Sequence, residues 1–552
     1  MPLPLLPEAR PALSSALFGL LALAVAGCAG LDPVAVPLAC GDMAAKTVAA
    51  SSIGLSSAGA AVTSAVQVTA SDAGNTNGAY CQIMGKIAPA ATAAPGTPDI
   101  QFQLNLPANW NGKAVQMGGG GYNGTVVAGT GFVSFAPGIT PLSQGYATFG
   151  SDSGHVGNSA TADFALNEAA IANFGFEHLK KTHDAAFALI KARYGKAPAR
   201  SYFVGASTGG REGMTVVQRF PGDYDGVVAN APAINFSGVR LQGTKIGQAA
   251  YAPGGFINPA KQKLVLQTAV DACDLDDGAA DRIVGNVEAC RAKAGAIVAK
   301  LRCASGRDEG DSCLSDAQLL TLRAIADDLR LPYPLAYGVD RHQGYNILQG
   351  ADFSQGLGLG GSAALTAPPS VAASGYLYTQ GDGYLKYFIV KKPELDVMRF
   401  DIDHPGEFQQ RLVAMSAIVG AMNPDISAFQ ARGGKLIVLH GLADEVISPN
   451  PMIAYYRGQV AKMGQAAVDA FLRFYTVPGM GHGTGTFVPA WDAMGALDRW
   501  VTQGIAPATL IGTDTNTATM GRSRPLCLYP AFPRYKGSGS IDAAASYSCA
   551  TS

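Results

Sequence analysis

The chain has 552 residues, with Lys+Arg 40 against Asp+Glu 41 for a formal charge of -1, and 48% of it is hydrophobic. That balance excludes the basic footprint needed for nucleic acid or an anionic surface and suits a small, roughly neutral substrate. The length allows a large core, built as one big domain with an insertion or as two to three smaller domains.

At the N-terminus Arg10 precedes an apolar stretch from Ala16 to Ala26, which runs into Val25-Ala26-Gly27-Cys28. The stretch is short for a bilayer span and is followed by small residues, so residues 1–27 are expected to be an export signal. Val-Ala-Gly-Cys resembles a bacterial lipobox and makes Cys28 an expected lipid anchor; the alternative is an ordinary signal cut nearby. The expected location is outside the cytoplasm, as a periplasmic or outer-membrane lipoprotein or a secreted protein. Setting Cys28 aside leaves Cys40, Cys81, Cys273, Cys290, Cys303, Cys313, Cys527 and Cys549. An even count behind an export signal implies disulfides. Sequence proximity pairs Cys40 with Cys81, Cys273 with Cys290, Cys303 with Cys313 and Cys527 with Cys549.

Residues 41 to 98 are rich in Ala, Ser, Thr and Gly and suggest only short strands and loops. Ile100, Phe102, Leu104 and Leu106 alternate with polar residues up to Pro107, the pattern of a half-buried strand. Ala114 to Met117 predicts a second strand, which empties into Gly118-Gly119-Gly120-Gly121-Tyr122-Asn123-Gly124. No Lys-Ser/Thr follows as in a phosphate-binding loop. Tyr146 to Phe149 predicts a third strand. Leu179, His183, Phe187, Ile190 and Tyr194 recur at helical spacing with Gly195 placed to end the helix; His183, on the apolar face, is expected to be structural.

Next comes Tyr202-Phe203-Val204-Gly205-Ala206-Ser207-Thr208-Gly209-Gly210, an apolar run that delivers a Gly-x-Ser-x-Gly. In a chain with 68 glycines that motif arises by chance on the order of once, so context must carry it. The context is strand before and helix after, since Met214, Val216, Val217 and Phe220 give an apolar face that ends at Pro221-Gly222. This is the layout of a nucleophile elbow, with Ser207 on a tight strand-to-helix turn. The upstream glycine loop then sits where such a fold places an oxyanion donor. Gly226 to Ala229 predicts another buried strand. The next sheet strand, Lys435 to His440, comes about two hundred residues later. A segment of that length is no loop; 234–425, with helical patches such as Leu319 to Leu329, is expected to be a lid domain inserted between core segments 40–233 and 426–552. Phe471, Phe474 and Tyr475 mark the last core strand, and Trp491, Met494, Leu497, Trp500 and Val501 an amphipathic helix stopped at Gly504.

Ser207, Asp444 and His482 each follow a strand, in the chain order expected of an α/β-hydrolase. His482 is the expected base, Asp444 its orienting acid, and the backbone N–H groups of Gly121 and Thr208 the oxyanion hole. The rivals are Glu445 for Asp444 and His440 for His482.

Tyr-Phe-x-Gly-x-Ser-x-Gly-Gly-Arg-Glu-Gly-Met (202–214), Gln-Arg-Phe-Pro-x-x-Tyr-Asp-Gly-Val-Val-Ala (218–229), Leu-His-Gly-x-x-Asp (439–444) and Val-Pro-Gly-Met-x-His (477–482) resemble the tannase/feruloyl esterase family, which includes MHETase. The resemblance runs from about Cys40 to Cys549 and implies an α/β-hydrolase fold with a large inserted lid. It also implies a structural Ca²⁺ loop at Cys273 to Ile283, in which Asp274, Asp277 and Asp281 supply carboxylates and Ala279 and Ile283 backbone carbonyls. Hard oxygen donors suit Ca²⁺. The loop is not an EF-hand, because Gly285 stands where the bidentate Glu would be. A solvated acidic turn is the alternative. Two departures from the family pattern matter. Cysteines expected directly before the serine and directly after the histidine are here Ala206 and Gly483, which implies a more mobile histidine loop. The lid arginine of MHET-hydrolysing members corresponds to Ala372, which weighs against MHET. Tyr376 is a candidate aromatic contact for substrate, or a core tyrosine.

The expected function is hydrolysis of esters of aromatic acids, hydroxycinnamic or gallic in type, through an acyl-serine intermediate. The alternatives are a tannase or MHETase-like activity, and a surface lipoprotein that keeps the fold for binding without catalysis.

Overall fold

A computed structural model describes residues 37–551; the expected export signal and Cys28 lie outside them. Among the described residues the framework is one 13-stranded sheet. Its strands are β1 (Thr47–Val48), β2 (Gly59–Val68), β3 (Tyr80–Ala88), β4 (Ile100–Pro107), β5 (Lys113–Met117), β6 (Ala147–Ser151), β7 (Arg200–Ala206), β8 (Gly226–Asn230), β9 (Lys435–Gly441), β10 (Leu472–Val477), β11 (Pro489–Ala490), β12 (Leu510–Asp514) and β13 (Ser523–Leu528). In space they run β1-β2-β3-β4-β6-β5-β7-β8-β9-β10-β13-β12-β11. The central run from β6 to β10 is parallel, and antiparallel strands flank it on both sides.

Parallel strands need both faces covered, so their sequences read as continuous apolar runs. In β7, Tyr202 and Val204 pack with Trp491, Leu497 and Trp500, while Phe203 packs on the opposite face with Met214 and Val217. β9 divides the same way, with Ile437 and Leu439 on the first face and Leu436 and Val438 on the second. The helices that supply those layers are α1 (His178–Tyr194), ended by Gly195 at φ 75°, and α2 (Thr208–Arg219), which leaves the elbow. A third, α8 (Ala493–Gln503), stops at Gly504 with φ 72°.

No strand of this sheet comes from 234–425 among the described residues. That segment is mainly helical, with α3 (Phe236–Ala250), α4 (Pro259–Cys273), α5 (Asp316–Ala326), α6 (Tyr376–Gly383), α7 (Gln409–Val419) and a two-stranded pair, Leu329–Arg330 with Arg341–His342. α5 opens with a capping box from Ser315 and Gln318, which satisfies two N-terminal donors at once.

Two sequence expectations need correction. The stretch 41–98 holds a long antiparallel hairpin, β2 and β3, of 10 and 9 residues rather than short strands. The small side chains of β2 give little periodicity, and its partner β3, which alternates with Cys81, Ile83 and Ile87 inside and pairs in turn with β4, supplies what local propensity lacks. β4 is not half-buried, because Gln103 and Asn105 are inside as well. They are satisfied: Gln103 Nε2 donates to Asn105 Oδ1 at 2.9 Å, and Asn105 Nδ2 to the Ala128 carbonyl at 2.7 Å. His183 is structural as expected, bonded through Nδ1 to Asp184 at 3.0 Å and stacked on Phe187.

All four cysteine pairs form as sequence proximity suggested: Cys40–Cys81, Cys273–Cys290, Cys303–Cys313 and Cys527–Cys549. Four disulfides place folding in an oxidising compartment, outside the cytoplasm. No helix among the described residues is long and apolar enough to cross a membrane.

Candidate active site

Ser207 sits between β7 and α2 with φ 60° and ψ -120°, a strained conformation for a residue with a side chain and one that over-determined surroundings must hold. Its own N–H donates to the Asn230 carbonyl at 3.0 Å, and its carbonyl accepts from the N–H groups of Arg211 and Ala233. The glycines around it are needed for contact. A Cβ on Gly205 would lie 2.5 Å from the Gly209 carbonyl oxygen, and one on Gly210 2.4 Å from that of Asn230.

β9 and β10 bring the other two residues to the same edge. His482 Nε2 lies 3.0 Å from Ser207 Oγ, while its Nδ1 lies 2.9 Å from Asp444 Oδ2. Asp444 Oδ1 accepts the N–H groups of Val446 and Ile447 at 2.9 and 2.8 Å. The order Ser, His, Asp in space is a complete relay of hydrogen bonds. Burial raises the proton affinity of Asp444, but His482 beside it and bonds from His440 and His482 outweigh this and hold the carboxyl well below the usual range. For His482, burial opposes the charged form, and the Asp444 charge and hydrogen bond overcome it, so the imidazole is a stronger base than usual.

The rivals take other places. His440 Nε2 bonds to the Ile447 carbonyl at 2.9 Å and lies 3.6 Å from Asp444 Oδ2, behind the acid. Glu445 Oε2 accepts the backbone N–H of His482 at 3.1 Å and not its ring. Burial, followed by the charge of Asp444, pushes the Glu445 carboxyl up to about 7.

The glycine loop folds onto the elbow. The Gly209 N–H donates to the Gly119 carbonyl at 2.8 Å, and Thr208 Oγ1 to that of Gly121 at 2.6 Å. Buried Glu212 braces the loop by accepting the Gly119 N–H at 3.1 Å and Asn123 Nδ2 at 3.0 Å. Gly121 has φ 56°, and a Cβ there would meet the Ser159 carbonyl at 2.2 Å. Among the described residues the amides of Gly121 and Thr208 have no carbonyl acceptor, which leaves both available to an oxyanion.

Sequence reasoning missed Phe135. It lies in the loop between β5 and β6, which carries no periodic signal, yet its ring meets the His482 imidazole edge-on at 5.0 Å. Tyr376, the candidate substrate contact, is buried at the start of α6 with its ring 5.9 Å from the Arg240 guanidinium.

At the expected calcium loop, Asp277 Oδ1 accepts the Ala279 N–H, Asp281 Oδ1 that of Ile283, and Asp274 Oδ1 that of Asp281. Burial and the neighbouring Asp281 and Asp274 push Asp277 up to about 7, and burial with Asp281 also raises Asp274. Like charges gathered this way suit a hard divalent cation. Arg524 Nη2 donates to Asp281 Oδ2 at 2.5 Å, so one carboxylate is partly compensated by the protein. Among the described residues, the triples of ligating side chains that come within 4.8 Å of one another lie elsewhere, at Cys303/Glu309/Cys313 and His183/Asp184/Asp223.

Comparison with known proteins identifies the lineage. The profile described as tannase and feruloyl esterase matches residues 81–550. The chain belongs to the tannase and feruloyl esterase family. This esterase is 41% identical over 519 residues to an uncharacterized esterase of Agrobacterium fabrum, with 93% of each chain covered. It is 33% identical over 527 residues to the mono(2-hydroxyethyl) terephthalate hydrolase of Piscinibacter sakaiensis, with 85% of each covered. Among solved structures, feruloyl esterase B from Aspergillus oryzae superposes with a TM-score of 0.71 at 25% identity, covering 89% of this chain and 97% of that one. The fold is that of an α/β-hydrolase and the protein is a carboxylic ester hydrolase.

Proposed function

We propose that this esterase hydrolyses esters of aromatic acids, of hydroxycinnamic or gallic type, with Ser207 as nucleophile, His482 as base and Asp444 as its orienting acid. The relay of hydrogen bonds from Asp444 through His482 to Ser207 carries the reading. Ser207 Oγ attacks the ester carbonyl carbon as its proton passes to His482 Nε2. The carbonyl oxygen becomes an oxyanion, met by the N–H groups of Gly121 and Thr208. Collapse breaks the bond to the alkoxy oxygen, which leaves as the alcohol with the proton from Nε2. Water then gives a proton to Nε2 while its oxygen bonds to the acyl carbon, and the second collapse returns the proton to Ser207 Oγ and frees the acid. Asp444 keeps the Nε2 lone pair facing the serine and stabilises the imidazolium.

A tannase or mono(2-hydroxyethyl) terephthalate hydrolase activity is the second reading, supported by the relative that carries the latter name. Hydrolysis of methyl ferulate, methyl gallate and mono(2-hydroxyethyl) terephthalate, beside Ser207→Ala, ranks these substrates. Turnover lost in the variant supports the serine mechanism. No turnover by folded protein, with Ser207 also unlabelled by an organophosphonate, sinks it in favour of a binding protein.

We also propose Ca²⁺ at the Asp274, Asp277 and Asp281 carboxylates with the Ala279 and Ile283 carbonyls. Its support is the gathering of like charges in a loop tied by Cys273–Cys290. The role is structural, since these residues lie outside the relay. Attachment to a membrane through lipidated Cys28 rests on the Val-Ala-Gly-Cys sequence, and the mass of the mature N-terminus tests it.

A further inference from the structure

The Gly121 N–H serves an oxyanion well only if its direction is fixed before charge develops, so that nothing has to turn in the transition state. That N–H belongs to the peptide between Gly120 and Gly121, and the Gly120 carbonyl on the same plane accepts the Asn123 N–H at 2.8 Å. Asn123 is held in turn, since its Nδ2 donates to Glu212 Oε1 at 3.0 Å. The next peptide, between Gly121 and Tyr122, is gripped at both ends. Its N–H donates to the Ser159 carbonyl at 2.9 Å, and its carbonyl accepts Thr208 Oγ1 at 2.6 Å. The two planes meet at Gly121, which has φ 56° and no Cβ to restrain its torsions. Hydrogen bonds must therefore fix what sterics leave free.

Of these groups Thr208 is the one that moves with the nucleophile. It is the first residue of α2, next to Ser207, and 1% exposed. Among the described residues its amide has no carbonyl acceptor, while its hydroxyl is committed to the glycine loop. The contact spans 87 residues of chain and is the one hydrogen bond that the Gly121 carbonyl receives among the described residues. The two oxyanion donors come from different segments, the loop after β5 and the start of α2, and this side chain ties one segment to the other.

We propose that the Thr208 hydroxyl is a positioning group for the oxyanion step: by holding the Gly121 carbonyl it aims the Gly121 N–H. One residue thus supplies a donor through its backbone and sets the other donor through its side chain. The proposal rests on the ester-hydrolase reading above. Because the hydroxyl proton is committed to the loop, Thr208 acts on every ester alike and does not choose among acyl groups.

The test compares Thr208→Val, Thr208→Ala and Thr208→Ser on methyl ferulate and p-nitrophenyl acetate, with phenylboronic acid as a mimic of the tetrahedral intermediate. Valine would put a methyl where Oγ1 now lies, 2.6 Å from the Gly121 carbonyl oxygen, so the peptide must move; alanine removes the bond and adds no atom. Both variants are expected to lower kcat about 10- to 100-fold on both esters, with KM within about threefold. That is less than the about 10²–10³ of a deleted donor, because the N–H is misaimed and not lost. The Kd of phenylboronic acid, which forms a tetrahedral adduct on Ser207, should rise in step with the fall in kcat/KM. Thr208→Ser keeps the hydroxyl and should stay within about threefold of wild type in every quantity. Alanine and valine variants with kcat within about threefold of wild type overturn the proposal. A serine variant that falls as far as valine also overturns it, since packing of the methyl would then be what matters. A loss confined to KM overturns it by making Thr208 a substrate contact, and a fall in Tm and kcat with unchanged boronate affinity by making its role structural. If the valine variant does not fold, alanine reads the same bond. Wild-type turnover with unaffected variants removes this proposal alone. No turnover of either ester by wild type, with Ser207 unlabelled by phosphonate, removes the esterase reading and this proposal with it.

Discussion

Phe135 and Gly483 share one small space beside the His482 imidazole. A Cβ on Gly483, which has φ 74°, would lie 2.8 Å from the Phe135 ring. Phe135 is itself anchored, since its carbonyl accepts Trp491 Nε1 at 3.2 Å and the neighbouring Ser134 carbonyl accepts Asn230 Nδ2 at 2.8 Å. Asn230 also receives the Ser207 N–H. One end of the serine turn is thus joined, through Asn230 and Ser134, to the residue whose ring meets His482.

Gly483→Ala should therefore lower kcat by about tenfold with little change in KM. The added methyl must displace an aromatic ring and occupy left-handed backbone, which costs on the order of 1–3 kcal/mol. Phe135→Ala should lower kcat in the same way by freeing the imidazole. If both variants retain full kcat, the packing at Phe135 does not position His482.

Asp444→Asn should reduce kcat by about 10⁴, the loss seen when a triad acid can no longer hold the imidazole tautomer. Glu445→Ala should cost much less, on the order of tenfold, because Glu445 holds only the His482 backbone N–H. Stopped assays on the two variants decide which acid serves the histidine, and a larger loss at Glu445 would reverse the assignment.

The pH dependence follows from His482, which must be neutral at Nε2 to receive the serine proton. Asp444 raises its proton affinity against the effect of burial, and Glu445 adds to the same side. Activity should then fall as pH drops through a value above the ordinary 6.5 of histidine. Glu445→Gln keeps an acceptor for the His482 N–H but removes the charge, so the acid limb of kcat/KM should move to lower pH. A limb that stays in place or moves up contradicts the electrostatic account.

Gly121→Ala should cut kcat/KM by about 10²–10³, the value of one oxyanion donor. The Cβ meets the Ser159 carbonyl at 2.2 Å and the backbone has φ 56°, so the N–H must turn away. Gly118→Ala tests the brace by comparison. Its Cβ would lie 2.7 Å from both Glu212 Oε2 and the Gly209 Cα, and this variant should lose thermal stability as well as activity.

If the Asp274 loop holds Ca²⁺, chelation should lower Tm by about 2–3 °C, as expected for a chain of this length when a ligand near 100 times its Kd is withdrawn. Asp277→Asn should abolish that response while retaining the Ser207 phosphonate label. A Tm indifferent to chelator, in protein free of metal by elemental analysis, would remove the ion.

The sequence by itself determined the elbow, the order Ser207, Asp444, His482, the parallel strands that carry them, and the four cysteine pairs. These are local features: continuous apolar runs, glycines where backbone must approach backbone, and cysteines 10 to 41 residues apart. Tertiary structure alone decided that Glu445 holds the histidine loop and not its ring, since neighbouring carboxylates are separated only by the turn after β9. It also decided that Gln103 and Asn105 are buried, because period-2 alternation cannot report a polar pair satisfied by a loop twenty-odd residues away. The same holds for Phe135 at His482 and for Arg240 beside Tyr122. Each lies in a stretch without a local signature, and its partner is more than a hundred residues distant, so only the closure of the sheet and the folding of 234–425 over it bring the charges and rings together.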